Sequence, residues 1–389
     1  MNLRPAGAAL AALILAACAT AAPEPRHGPH PGPHRGGPPS PFPAEPRPPV
    51  PPPERTLPLA DLPGWASEDH VAALDAFRQT CGVSRDLRLA AICRSARAIG
   101  PLDRTHAREF FEASFRAEPS PPAGVLTAYF APVYEARRRP DAEFSAPVRP
   151  KPADLKVVDA GLFDPGQAGR PGAAFDPGSG PLLPYPDRAA IEATTPDRAL
   201  AWMRPEELFF LQIQGSGVLT FEDGRRMKAL YAANNGRPFV GVANLMRDRG
   251  LLARDNTSGE AIRAWLAAHR GPEADEIMRA NPRYAFFSLA PDDGRQPVGA
   301  ANTPLPAGRA IAVDPAYHAL GDVFWVDAEA PLLAGAFPTY RRLVAALDTG
   351  GAIKGDVRAD LYLGLGPAAG AEAGRVRHAL RLYRLVPKP

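Results

Sequence analysis

Three aspartates sit where extended segments end or begin. Asp314 follows Ile311-Ala-Val313 and precedes Pro315, Asp348 closes the apolar run Leu343–Leu347, and Asp360 comes just before Leu361-Tyr362. A carboxyl at a strand end among apolar neighbours is partly desolvated. Desolvation raises its pKa and keeps it protonated near neutrality, as a general acid requires. The competing reading is a turn, because aspartate readily bonds its own backbone. That reading weighs most on Asp348, which precedes Thr349-Gly350-Gly351, and less on Asp360. Lys354 is a possible charge partner for a nearby carboxylate or a solvated turn residue. Two further segments carry polar groups suited to binding. Gln214-Gly-Ser-Gly217 combines the amide of Gln214 and the hydroxyl of Ser216 with glycines that permit close backbone approach, or else it is a tight turn. In Thr127-Ala-Tyr-Phe-Ala-Pro132 the strand period places Thr127 and Tyr129 on one face. Tyr129 either stacks on a ring-shaped ligand or fills a core.

The elements that position these residues follow from pattern. Residues 67–117 read as helical, with Val71, Leu74 and Phe77 at helical spacing after Ser67-Glu68-Asp69. Thr105 is the expected cap of a helix carrying Phe110, Phe111 and Phe115. From Val125 the texture becomes strand-like, then rich in proline and glycine to about residue 188. Leu208–Leu211 reads as an apolar strand leading into the Gln214 motif. One helix holds Val242, Leu245 and Met246 and stops at Gly250; another starts after Ser258, holds Ile262, Trp265 and Leu266, and stops at Gly271. After Pro282 come strands at Tyr284–Leu289, Ala310–Val313, Val323–Val326, Leu343–Leu347, Leu361–Leu363 and Ala379–Val386, a pattern of a barrel or sandwich.

The N-terminus speaks to compartment. One basic side chain in residues 1–4 precedes the apolar run 6–17 and Cys18. The run is shorter than the roughly 20 residues of a spanning helix and suits a secretory signal. Leu15-Ala-Ala-Cys18 resembles a lipoprotein processing site, which makes 1–17 a signal peptide and Cys18 the lipidated residue; an ordinary signal peptide cut after a later alanine is the alternative. Ala19 in place of an aspartate favours the outer membrane over inner-membrane retention. Residues 18–56 form a proline-rich, semi-rigid tether, and His27, His30 and His34 within it read as polar filler. A net charge of +3 gives no reason to expect nucleic-acid binding. In an exported chain the other two cysteines, Cys81 and Cys93, are a possible disulfide or a pair of small buried side chains.

Taken in order, Thr127-Ala-Tyr-Phe-Ala-Pro-Val133, Gln214–Gly217, Tyr231-Ala-Ala-Asn-Asn-Gly236, Arg247-Asp-Arg-Gly250, Ala312-Val-Asp314, Ala346-Leu-Asp-Thr-Gly-Gly-Ala-Ile-Lys-Gly355 and Asp360-Leu-Tyr362 make a recognisable set. From about Val125 onward the chain resembles the membrane-bound lytic murein transglycosylase A family, and the last group resembles its three-aspartate domain. The resemblance implies a mainly β fold with helices: a double-psi β-barrel from 57–131 and 286–389, with a second β-rich domain, 132–285, inserted into it and a substrate groove between them. It implies a lytic exotransglycosylase acting on peptidoglycan glycan strands, with no cofactor and no metal, a monomer held to the outer membrane by its lipid. By motif correspondence Asp360 is the catalytic acid and base, Asp348 and Asp314 are supporting aspartates, and Thr127, Tyr129, Gln214, Ser216 and Lys354 belong to the groove. Ala128 stands where the family more usually has glycine, and Phe130 where it has tyrosine. A hydrolytic glycosidase on the same barrel and a lipoprotein that only binds peptidoglycan are the rival readings.

Overall fold

A computed structural model describes residues 56–121, 124–169, 171–253, 256–329 and 337–389. The expected signal peptide, Cys18 and the tether lie outside the described residues. No described helix is long and apolar enough to cross a membrane.

Three helices come first: α1 (His70–Thr80), α2 (Leu87–Ala98) and α3 (Arg104–Ser114). Each starts on an aspartate whose carboxylate accepts first-turn amides: Asp69 from Ala72, Asp86 from Arg88 and Leu89, Asp103 from His106. Asp103, not Thr105, therefore caps α3; two residues suffice to move a boundary when both candidates are good caps. Cys81 and Cys93 are joined in a disulfide that ties the end of α1 to α2. Closing so short a loop stabilises by roughly 3 kcal/mol in the chain-entropy account.

Strands β1 (Phe115–Pro119), β2 (Gly124–Ala131) and β3 (Val133–Ala136) follow. The chain then builds short pairs from β4 (Ala146–Val148), β5 (Leu155–Asp159), β6 (Pro171–Phe175) and β7 (Leu183–Pro184). Next come α4 (Arg188–Glu192), β8 (Ala201–Met203), α5 (Pro205–Gln214), β9 (Gly217–Phe221) and β10 (Arg226–Asn234). Helices α6 (Val242–Asp248), α7 (Gly259–Ala268) and α8 (Pro272–Arg279) lead into β11 (Ala285–Pro291). The remainder is β12 (Ala310–Val313), β13 (Val323–Glu329), β14 (Thr339–Thr349), β15 (Arg358–Leu365), α9 (Gly366–Ala373) and β16 (Arg377–Pro387).

Strands β2, β15, β12, β14, β13 and β16 pair in that order, and β16 returns to pair with β2, so the sheet closes on itself. Two pairings, β2 with β15 and β12 with β14, are parallel and the others antiparallel. This is the barrel expected from the family resemblance, with β1 added along β16. Its interior holds Leu126, Ile311, Val313, Phe324, Val326, Val344, Leu361 and Leu382. Strand β13 explains its own unbroken apolar sequence. Phe324 and Val326 face that interior, while Val323 and Trp325 face outward into a second core with Trp65, Phe77, Phe111 and Phe115 of the helical layer. A strand covered on both faces loses the polar half of the alternation.

Between β2 and β12 the chain forms a separate sheet, β3–β9–β10–β11, and α5 to α8 pack beside it. Two expectations need correction. Leu208–Leu211 is the middle of helix α5, not a strand. Leu208 and Leu211 enter one core and Phe209 another, so the helix is apolar around much of its girth and a four-residue run cannot report its period. The local signals were helical: Pro205 in the first turn, Glu206 and Glu207 beside it, and Gly215 at φ +85° as the C-cap. The return to the barrel also comes later than residue 286, because β11 pairs along β10 and the next barrel strand is β12.

Helical layer and barrel are locked by a buried ion pair. Glu68, fully buried, faces Arg309, with Nη2 to Oε1 at 3.1 Å, and its Oε2 also accepts from the Leu343 amide at 2.7 Å. Removing one member of such a pair strands the other charge. Glu68→Ala is expected to lower the unfolding free energy by about 3–5 kcal/mol. Urea denaturation measures this, and a loss under about 1 kcal/mol would show that the pair is dispensable.

Candidate active site

Strand alternation sets the orientation of the central carboxyl. Ala359 and Leu361 are fully buried in the barrel interior, so Asp360 between them faces the opposite side of β15. The parallel register sets Asp360 against Thr127 and Tyr362 against Tyr129 of β2, and the antiparallel pairing with β12 sets Ala312 on the other side. Thr127 Oγ1 donates to Asp360 Oδ1, and Arg358 Nη2 donates to that same hydroxyl at 2.8 Å. The Arg358 guanidinium is fixed by the carbonyls of Ala359 at 2.5 Å and Val125 at 3.4 Å. Thr127 has one proton, and with Arg358 occupying a lone pair it points at Oδ1. Among the described residues no donor bonds the other carboxyl oxygen, Oδ2.

Asp360 keeps some exposed surface yet is packed deeply among protein atoms. Burial pushes its carboxyl pKa up; Arg358 and the Thr127 hydroxyl pull the other way, and Asp348 adds to the rise. Asp348, at the end of β14, is differently placed. Its Oδ2 accepts from the Tyr129 hydroxyl at 2.7 Å, and its Oδ1 accepts from the amides of Ala300 at 3.0 Å and Thr349 at 2.9 Å. Burial raises its pKa as well, against the pull of those donors. Tyr129 and Tyr362 lie 5.2 Å apart, ring centre to ring centre. Asp314 is 4% exposed and accepts from the Gly355 amide at 2.9 Å and the Ala316 amide at 3.2 Å, with Lys354 Nζ at 3.5 Å. Burial opposes ionisation there, but these donors win and hold its pKa low. The half-exposed Lys354 is thus placed on Asp314.

Helix α5 brings up Gln214, whose Oε1 accepts from the Phe130 amide at 3.2 Å, and half-buried Ser216 lies in the turn beyond it. Gly217 is required by packing: a Cβ there would stand 2.8 Å from the Pro132 carbonyl and 2.7 Å from Leu211. The close approach that this glycine permits is thus to protein backbone.

A model of the MltA specific insert domain matches residues 125–288, and a model of the 3D domain matches residues 309–386. The crystal structure of a membrane-bound lytic murein transglycosylase from Agrobacterium tumefaciens superposes with a TM-score of 0.72 at 33% identity, covering 85% of this chain and 97% of that one. The chain belongs to the MltA family. The membrane-bound lytic murein transglycosylase A of Vibrio cholerae is 32% identical over 268 residues, which is 67% of this chain and 65% of the relative, just under two thirds of its length. Escherichia coli MltA with bound chitohexaose superposes with a TM-score of 0.61 at 26% identity, covering 87% of this chain and 94% of that one.

In this MltA-family chain the structure brings Thr127, Tyr129, Asp348 and Asp360 onto one end of the barrel, with Gln214 reaching it from the insert. Sequence reading gave no role to Arg358, although a residue two before Asp360 shares its strand face. Ala300 and Tyr362 were also missed; the Ala300 contact depends on loop placement that no local pattern encodes.

Because the folded chain holds the Asp360 proton more tightly than an unfolded chain does, that group adds stability below about pH 4. The contribution is lost as pH rises through the raised folded value. Asp360→Asn is therefore expected to melt at a higher temperature than wild type at pH 8, and at nearly the same temperature at pH 4. A melting difference that does not change with pH would contradict the raised pKa.

Proposed function

We propose that this chain is a lytic transglycosylase that cleaves the β-1,4 bond between N-acetylmuramic acid and N-acetylglucosamine in peptidoglycan, with Asp360 as both acid and base. One observation carries the reading. Of the three aspartates, only Asp360 combines a raised pKa with a carboxyl oxygen left for a ligand. Asp314 is buried under two backbone amides and Lys354, and both oxygens of Asp348 accept from protein donors.

Such a site suits a reaction that needs one carboxyl. Protonated Asp360 donates through Oδ2 to the leaving glycosidic oxygen as the C–O bond breaks and positive charge develops at the anomeric carbon. The resulting carboxylate accepts the proton of the muramoyl C6 hydroxyl, whose oxygen bonds to that carbon. A 1,6-anhydro sugar forms and Asp360 is protonated again. The nucleophile belongs to the substrate and is already in place, which replaces the second carboxylate of an ordinary glycosidase. Arg358 and Thr127 keep Oδ1 occupied so that the proton stays on the ligand side, and Asp348 fixes the Tyr129 hydroxyl along the groove.

The barrel with its helical layer is the catalytic unit, and the insert supplies the facing wall through Gln214. That the Escherichia coli relative was solved with chitohexaose supports a glycan strand as ligand. Cys18 is the lipid attachment that would hold the chain, as a monomer, on the periplasmic face of the outer membrane. The rival hydrolase needs a second carboxylate free to activate water, and Asp348 is not free.

Purified wild type is expected to release muropeptides ending in 1,6-anhydromuramic acid from sacculi, a loss of one water relative to reducing ends by mass spectrometry. Asp360→Asn is expected to reduce that rate by about 10³-fold. The wild-type rate is expected to fall as pH rises through the Asp360 pKa. Reducing-end products would establish the hydrolase instead, and binding of sacculi without release would establish the binding protein.

A further inference from the structure

The motif Tyr231–Gly236 takes no part in the carboxyl chemistry, yet it is built with care. Asn235 is 1% exposed and bonded on every side. Its Nδ2 donates to the carbonyls of Pro186 and Pro282, both at 2.9 Å, and its Oδ1 accepts from the amides of Tyr284 at 2.9 Å and Arg237 at 3.4 Å. Asn281, 2% exposed, accepts from the amides of Val240 at 3.1 Å and Arg283 at 3.3 Å. Two buried asparagines thus fasten the turn after β10 to the turn before β11.

This clamp fixes the backbone of Arg283 and Tyr284. Arg283 Nη1 donates to the Arg237 carbonyl at 3.2 Å. Among the described residues that is its side chain's hydrogen bond, and no carboxylate lies within ion-pair distance of it. It is half-buried, and burial lowers its pKa, with Tyr231 the group that acts in the other direction. Tyr231 is itself 47% exposed, with its hydroxyl bonded to Asn234. The guanidinium also crosses the seam between the two parts of the fold. A Cβ on Gly351, in the loop that follows Asp348, would meet Arg283 Cζ at 3.5 Å and Nη1 at 3.7 Å. A half-buried cation on a fixed backbone, with guanidinium donors unmet among the described residues and the Asp348 loop beside it, is a site for an anion.

We propose that Arg283 binds a carboxylate of the lactyl-peptide arm that muramoyl residues carry and plain N-acetylglucosamine polymers lack. The proposal rests on the peptidoglycan reading above. The planar fork suits a carboxylate bidentately, and partial desolvation strengthens the bond and makes loss of the charge costly. The sugar backbone then supplies general affinity, and Arg283 distinguishes murein from chitin-like chains.

Three substrates test this with wild type, Arg283→Gln and Arg283→Lys: peptide-bearing glycan strands, strands stripped of stem peptide by an amidase so that the lactyl carboxylate is free, and chitohexaose. Arg283→Gln is expected to raise KM at least tenfold on a carboxylate-bearing strand with kcat changed less than twofold, and to leave the chitohexaose Kd unchanged. Arg283→Lys should lie between, and wild-type KM, but not that of Arg283→Gln, should rise with salt. Loss on stripped strands alone assigns the lactyl carboxylate, loss on peptide-bearing strands alone assigns a stem-peptide carboxylate, and loss on both shows that the guanidinium takes either one. Unchanged KM on both, or an equal weakening towards chitohexaose, overturns the proposal. The Kd of the same carboxylate-bearing strands needs no turnover, so failure of the transglycosylase reading is distinguishable from failure of this one.

Discussion

The site depends on one backbone pairing. Strands β2 and β15 run parallel and in register, so Thr127 stands beside Asp360 and Tyr129 beside Tyr362. A slip of one residue would turn Asp360 into the barrel interior and put Leu361 on the face that Asp360 now occupies. That slip is opposed by the apolar faces of both strands, since Leu126, Ala359 and Leu361 are fully buried in one core. The hydrophobic effect thus sets the position of a polar group without touching it. The same core that closes the barrel leaves Asp360 in a poorly hydrated place, where its proton is hard to lose.

The three aspartates divide along physical lines. Asp314 receives backbone amides and an ammonium and is held as a carboxylate; it stabilises the loop from Lys354 to Gly355. Asp348 receives a phenol and two amides and anchors Tyr129. Asp360 receives one hydroxyl, itself braced by Arg358. The number and kind of donors, more than burial alone, separates the three, because burial pushes each of them in the same direction.

Much of this was legible in the residues. The first and third helices, the barrel strands and the setting of Asp314 and Asp348 at strand ends carry local signals that survive folding: caps, period and apolar runs; Asp360 lies inside β15, and α2 was not told apart within the helical stretch. Leu208–Leu211 misled because a helix packed between two cores has no polar face to announce its period. The place where the chain rejoins the barrel was misread because β11 looks like any other strand, and only its partner β10 shows which sheet it belongs to. Arg358 lacked a role for a related reason. Its value comes from a hydroxyl 231 residues earlier in the chain, and pairing over such distances leaves no local trace.

That separation also governs timing. Thr127 and Asp360 are 233 residues apart, and β16, the strand that seals the ring against β2, follows both. The intervening segment has cores of its own and is able to organise while the barrel is still open. Assembly dominated by such distant pairings is slow. An emerging chain therefore completes the segment that carries Gln214 before β16 is available to close the ring beside Asp360. The topology acts as a safety catch: the Asp360 carboxyl gains its desolvated setting only when the circle of strands is complete.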